Sequence, residues 1–85
     1  MRVVVTGRVQ GVFFRAECAR QARALALGGS VRNRADGAVE AEFEGAAADV
    51  ETMIAWCRLG TEWAQVDGVE TTEQTPADEH EFHVR

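Results

Sequence analysis

The stretch Gly7-Arg8-Val9-Gln10-Gly11-Val12-Phe13-Phe14-Arg15 follows a valine-rich run, Arg2-Val3-Val4-Val5-Thr6, and leads into a segment with helical spacing. A strand that passes through a short loop straight into a helix is a natural opening unit of a layered α/β architecture. Glycine adopts positive φ at no steric cost, so a loop flanked by Gly7 and Gly11 can curl its backbone N–H groups toward one point. The first turn of the helix adds N–H groups with no intrahelical acceptor, and the positive end of the helix dipole. Its entry, Gly11-Val12-Phe13, offers no Ser, Thr, Asp or Asn cap, so a bound anion can serve those donors instead. Arg15 adds a planar, permanently charged fork that pairs with phosphate oxygens. Gly7, Arg8, Val9, Gln10, Gly11 and Val12, with Arg15, thus describe a cradle for one phosphate-sized anion. An ordinary glycine-containing strand–helix turn with a surface arginine has the same local pattern, and the loop alone leaves both readings open.

Outward from this unit, residues 2–9 read as a strand with Val3, Val5 and Val9 on one face. Residues 14–27 read as a helix, with Phe14, Cys18, Ala22 and Leu25 at helical spacing and Gly28-Gly29 as its stop. Residues 30–34 read as a second strand, and Ala35-Asp36-Gly37 as a turn. In residues 38–44, Val39, Ala41 and Phe43 alternate with Glu40, Glu42 and Glu44, a half-buried strand whose glutamates form its solvated edge. Residues 46–59 carry the stripe Val50, Met53, Ile54, Cys57 of a second helix, with Gly60 past its end. Residues 64–72 and 80–84 are further strands, joined by the polar segment Glu73–Glu79 with the sole proline, Pro76. The order βαββαβ, with amphipathic helices, predicts an α+β fold: a ferredoxin-like sandwich, an antiparallel sheet with two helices on one face. Strands one and three are central neighbours in that arrangement, which brings Asn33 toward Arg15.

The 85 residues allow a single domain spanning 1–85. Apolar content of 46% is that of a globular chain. No apolar run approaches a bilayer span or the core of a signal peptide, so the expected location is the cytoplasm and no membrane partner is expected. Cys18 and Cys57 are far apart and outside any C-x-x-C pattern; both fall on apolar helix faces and read as buried free thiols. A helix–helix disulfide or a redox role is the other reading. The net charge is −5, but it is unevenly spread: residues 1–34 carry +6 and residues 35–85 carry −11, with arginine as the only base. A basic cradle in an acidic chain suits a small anion and argues against nucleic acid. No Ser-His-Asp set, Cys-His pair or metal-ligand cluster is visible, and no metal or cofactor is expected. His80 and His83 read as ordinary strand or surface residues, and Trp56 and Trp63 as core or rim packing.

Two motifs make the chain recognisable. Gly7 to Arg15 resembles the G-x-V-Q-G-V-x-F-R loop of the acylphosphatase family at every fixed position, and Val31-Arg32-Asn33-Arg34-Ala35-Asp36-Gly37-Ala38-Val39-Glu40 resembles its V-x-N-x-x-D-G-x-V-E. Gly60, Ala64, Val66, Val69 and Phe82 also fall where the family pattern expects them. The chain departs from it at Ser30, where tryptophan is frequent, and at Thr61-Glu62-Trp63, where prolines are common. The resemblance implies hydrolysis of the carboxyl–phosphate bond of acyl phosphates, without metal or covalent intermediate. It implies that Arg15 binds the phosphate, that Asn33 holds the attacking water, and that Gly7 to Val12 form the phosphate loop. The partners so implied are an acyl phosphate substrate and inorganic phosphate as product and inhibitor, with a monomer as the working form. Taken without the motif, Asn33 also reads as a turn residue ahead of Asp36-Gly37. The competing function is a non-catalytic ferredoxin-like module that binds a small anion for regulation. Such a module needs the arginine but has no use for the asparagine. A third reading is a domain of a larger hydrogenase-maturation protein, whose zinc-binding cysteines have no counterpart here.

Overall fold

Val3 and Val5 are fully buried and Val4 is not, so the first strand, β1 (Arg2–Arg8), has one core face, as the alternation requires. The computed structural model describes all residues from Met1 to Arg85. After β1 come α1 (Phe14–Ala24), β2 (Gly28–Asn33), β3 (Val39–Glu44), α2 (Ala47–Leu59), β4 (Gln65–Thr72) and β5 (Phe82–Val84). The strands form one sheet in the order β4-β1-β3-β2-β5. Helix α1 packs over β2 and β5, α2 over β4 and β1, and the helices touch each other. Between the layers lies one core that includes Val3, Val5, Phe14, Cys18, Val31, Val39, Phe43, Met53 and Cys57. This is the ferredoxin-like sandwich, with β1 and β3 paired at its centre as expected.

Three expectations need correction. The sheet is not wholly antiparallel, because β5 runs parallel to β2, pairing Gly29 with Phe82 and Val31 with Val84. Strand β4 finishes where β1 begins, with Thr72 opposite Arg2. Residues 73–81 then cross that end of the sheet to the other edge. They arrive beside the start of β2, so β5 has to run in the direction of β2. The strap is held on its way by Glu44, whose carboxylate accepts from the N–H groups of Ala77 and, at 2.6 Å, Glu79.

The first helix is shorter than its apolar periodicity, ending at Ala24 instead of residue 27. Ala26, at φ 56, takes the left-handed position, and Leu27 donates back to Ala22 at 3.0 Å. Gly28 and Gly29 are the first residues of β2 and not a helix stop. A Cβ on Gly28 would lie 1.9 Å from the Glu79 oxygen, and one on Gly29 1.8 Å from the Glu42 oxygen. These glycines serve close backbone approach within the sheet.

The glutamates of β3 take the wetter side of that strand, as expected, each partly exposed, and β3 is the middle strand of the sheet. They lie on the face opposite the helices. Glu40 sits 3.0 Å from Arg32 and 3.6 Å from Arg34. The two thiols are free and buried, one on each helix. The neighbouring Cys57 side chain together with burial pushes the Cys18 thiol well above its ordinary range.

Candidate active site

Helix α1 begins without a cap. Phe13 stands at its N-cap position with φ 63 and ψ 19 and makes no side-chain cap bond. None of the backbone N–H groups from Val9 to Phe13 donates to another backbone or side-chain group. The next N–H groups, at Phe14, Arg15 and Ala16, belong to the first helical turn, which has no intrahelical acceptors. The loop therefore presents a run of free donors at the positive end of a helix.

The six loop residues named from sequence do different work. Gly7 and Arg8 belong to β1 and pair with Val66 and Gln65 of β4, after a register shift between Thr6 and Gly7. Gly7 allows that approach, since a Cβ there would fall 2.2 Å from the Gln65 oxygen. Gly11, at φ 73 with open space where a Cβ would stand, supplies the left-handed turn. Val9 is 1% exposed and roots the loop in the core. The Gln10 side chain turns away from the free donors and gives its amide to the carbonyls of Arg34 at 2.7 Å and Ala38 at 3.0 Å. Sequence reasoning does not find Thr61. Its hydroxyl donates to the Val12 carbonyl at 2.7 Å and pins the other side of the loop. A short polar residue after a helix C-cap has no sequence signal that marks this contact.

Arg15 and Asn33 line one cavity of about 390 Å³ together with Val9, Gly11, Phe13, Phe14, Ala16 and Val84. Arg15 comes from the first turn of α1 and Asn33 from the end of β2, so two loops separate in sequence meet at one end of the sheet. One guanidinium nitrogen of Arg15 donates to the Arg85 main-chain oxygen at 3.0 Å, just past β5. The remaining donors of the fork are free for an anion. The Oδ1 atom of Asn33 is buried and has no hydrogen-bond partner. An unpaired buried acceptor costs about 1–3 kcal/mol, a cost usually kept only where a ligand or water completes it. No carboxylate, imidazole or thiol lines the cavity.

The other arginines are largely spent elsewhere. Arg32 and Arg34 are paired with Glu40 and Asp36, Arg20 with Glu17, and Arg23 donates to the Phe82 carbonyl. Arg8 has neither an ion pair nor a hydrogen bond, so it is the free cation next to the loop. Ser30 lies away from the Arg15–Asn33 cavity, in a second one lined also by Glu42, Gln74 and Arg85.

Unpaired loop N–H groups, the free part of the Arg15 fork and an unpartnered amide oxygen at one end of the sheet suit a small oxyanion, on a protein of the ferredoxin-like fold. The acylphosphatase family model matches residues 1–84. An acylphosphatase of Anaeromyxobacter dehalogenans is 51% identical over 76 residues, covering 89% of this chain and 82% of that one. The crystal structure of acylphosphatase from Bacillus subtilis superposes with a TM-score of 0.94 at 32% identity, covering 99% of this chain and 94% of that chain. Full-length HypF, solved in a phosphate- and nucleotide-bound form, matches at TM-score 0.88 and 26% identity, but over only 11% of its own length. The chain belongs to the acylphosphatase family, and acylphosphatase activity comes with that membership.

Proposed function

We propose that residues 1–85, acting as one domain, hydrolyse the carboxyl–phosphate bond of acyl phosphates by direct attack of water. The observation that carries this reading is that Asn33, whose amide oxygen has no partner, lines the same cavity as Arg15. The phosphoryl group rests on the loop N–H groups and the Arg15 fork, which meet the charge on its equatorial oxygens. A water donates one hydrogen to Asn33 Oδ1, and its lone pair faces phosphorus in line with the acyl oxygen. The new P–O bond forms as the acyl P–O bond breaks, and the bonding pair leaves on the carboxylate. The water's second proton passes to a phosphate oxygen of the substrate. A carboxylic acid has a pKa of roughly 4, so the leaving group needs no protonation. This accounts for a site without a general acid. Inorganic phosphate, the product, occupies the same cradle and competes with substrate. The cytoplasm and a monomeric state complete the proposal. In support, no helix is long and apolar enough to cross a membrane.

Hydrolysis of benzoyl phosphate by wild type and Asn33→Ala, with chelator and in low and high salt, tests the reading. Rapid wild-type turnover with a mutant slowed about a hundredfold or more supports it, because a misplaced nucleophile loses at least that much. Phosphate binding without turnover in either salt condition points instead to the regulatory anion-binding module.

A further inference from the structure

Phe13 and Trp63 are the exposed aromatic side chains beside the cradle, 67% and 54% exposed. Their rings meet edge to face, with centroids 5.5 Å apart and planes at 63°. Neither is needed by the core. Phe13 also holds a left-handed backbone, φ 63, that glycine would adopt without strain. A bulky residue in that region costs about 1–3 kcal/mol, and such strain points toward a function for the side chain that is kept.

A groove of about 530 Å³ opens beside this pair, lined by Arg8, Gln10, Gly11, Val12, Phe13, Glu62 and Trp63. Gly11 and Phe13 line both this groove and the Arg15–Asn33 cavity, so the two are contiguous across the loop. Their placement matches an in-line displacement. Asn33 lies on β2, while Arg8 and Trp63 lie on β1 and just before β4, at the other side of the sheet order β4-β1-β3-β2-β5. A leaving group opposite a water held by Asn33 departs from β2 toward that groove. Arg8 and Glu62 bring one charge of each sign to the groove, and the exposed Phe13 and Trp63 rings bring its large apolar surface.

We infer that the Phe13–Trp63 pair and the groove beside it form the acyl subsite, which favours flat, uncharged aromatic acyl groups over small aliphatic ones. The inference rests on the catalytic reading above. Its occupant is the acyl end of the substrate, because the groove shares Gly11 and Phe13 with the phosphate cradle.

The test compares kcat/KM for benzoyl phosphate and acetyl phosphate in wild type, Trp63→Ala, Trp63→Phe and Phe13→Asn, with inhibition by inorganic phosphate measured alongside. Trp63→Ala should lower the benzoyl-to-acetyl ratio about three- to tenfold, the worth of one aromatic contact, with phosphate inhibition within about twofold of wild type. Trp63→Phe should recover most of the ratio. Phe13→Asn, which tolerates the left-handed backbone, should lower it as Trp63→Ala does. Wild type that hydrolyses both compounds, with a ratio unmoved by either truncation, overturns the subsite and leaves the catalytic reading standing. Wild type that hydrolyses neither compound overturns both.

Discussion

The carboxamide of Gln10 donates to the main-chain oxygen of Arg34 at 2.7 Å, fastening the Val9–Phe13 loop to the turn that follows Asn33. The same nitrogen reaches Ala38 at 3.0 Å, and Arg34 and Ala38 close that turn through their own 2.8 Å backbone bond. One side chain therefore sets the spacing between the loop of free N–H groups and Asn33. Gln10→Ala should cost about 1–3 kcal/mol in urea unfolding, the worth of two neutral hydrogen bonds and the acceptors left behind. Because the spacing also loosens, kcat should fall more than phosphate affinity does. Equal losses in both would mean that Gln10 shapes the cradle itself.

Arg15→Lys keeps the charge but replaces the planar fork with a point charge. It also cannot hold both the Arg85 oxygen and two phosphate oxygens in one plane. Inhibition by inorganic phosphate should weaken about tenfold or more, and the retained charge should not rescue kcat. A lysine variant with wild-type phosphate inhibition would show that the loop N–H groups suffice for binding.

Glu44 ties the crossing strap to β3, and the two N–H donors hold its carboxyl below the ordinary value of 4.5. A depressed folded pKa means that the contribution is complete above the ordinary value and is lost as pH falls through the lower folded one. Glu44→Gln should therefore lower the melting temperature at neutral pH, and the gap to wild type should close in acid. Limited proteolysis between residues 73 and 81 should quicken in the variant at neutral pH. A gap that stays constant across the acid range would refute the linkage.

Cys18 and Cys57 are buried, and the nearby Cys57 side chain and burial favour the protonated thiol at Cys18. The thiolate is the reactive form, so alkylation of the native protein near pH 8 should be far slower than that of the urea-unfolded chain. Mass spectrometry of timed quenches reads this directly. Prompt labelling of the folded protein would show that the α1–α2 interface opens readily.

Most of the fold was legible because its elements are strongly periodic. Val39-Glu40-Ala41-Glu42-Phe43-Glu44 alternates at period two, and Val50, Met53, Ile54 and Cys57 mark one helical face, all four buried in the structure. Boundaries were less legible where glycine is ambiguous. Gly28-Gly29 reads as a helix stop because glycine ends helices, yet the residues sit in β2 where two backbones leave no room for a Cβ. Nothing local in the chain marks that approach.

The sequence by itself determined the layered α+β architecture, the uncapped helix start and the placing of Arg15 and Asn33 at one end of the sheet, since these follow from periodicity, residue chemistry and two motifs. Only the tertiary structure decided the parallel direction of β5, the grip of Gln10 and Thr61 on the loop, and the exposed Phe13–Trp63 pair. Each of those joins residues distant in sequence, and their relation depends on which ends of the sheet the chain revisits.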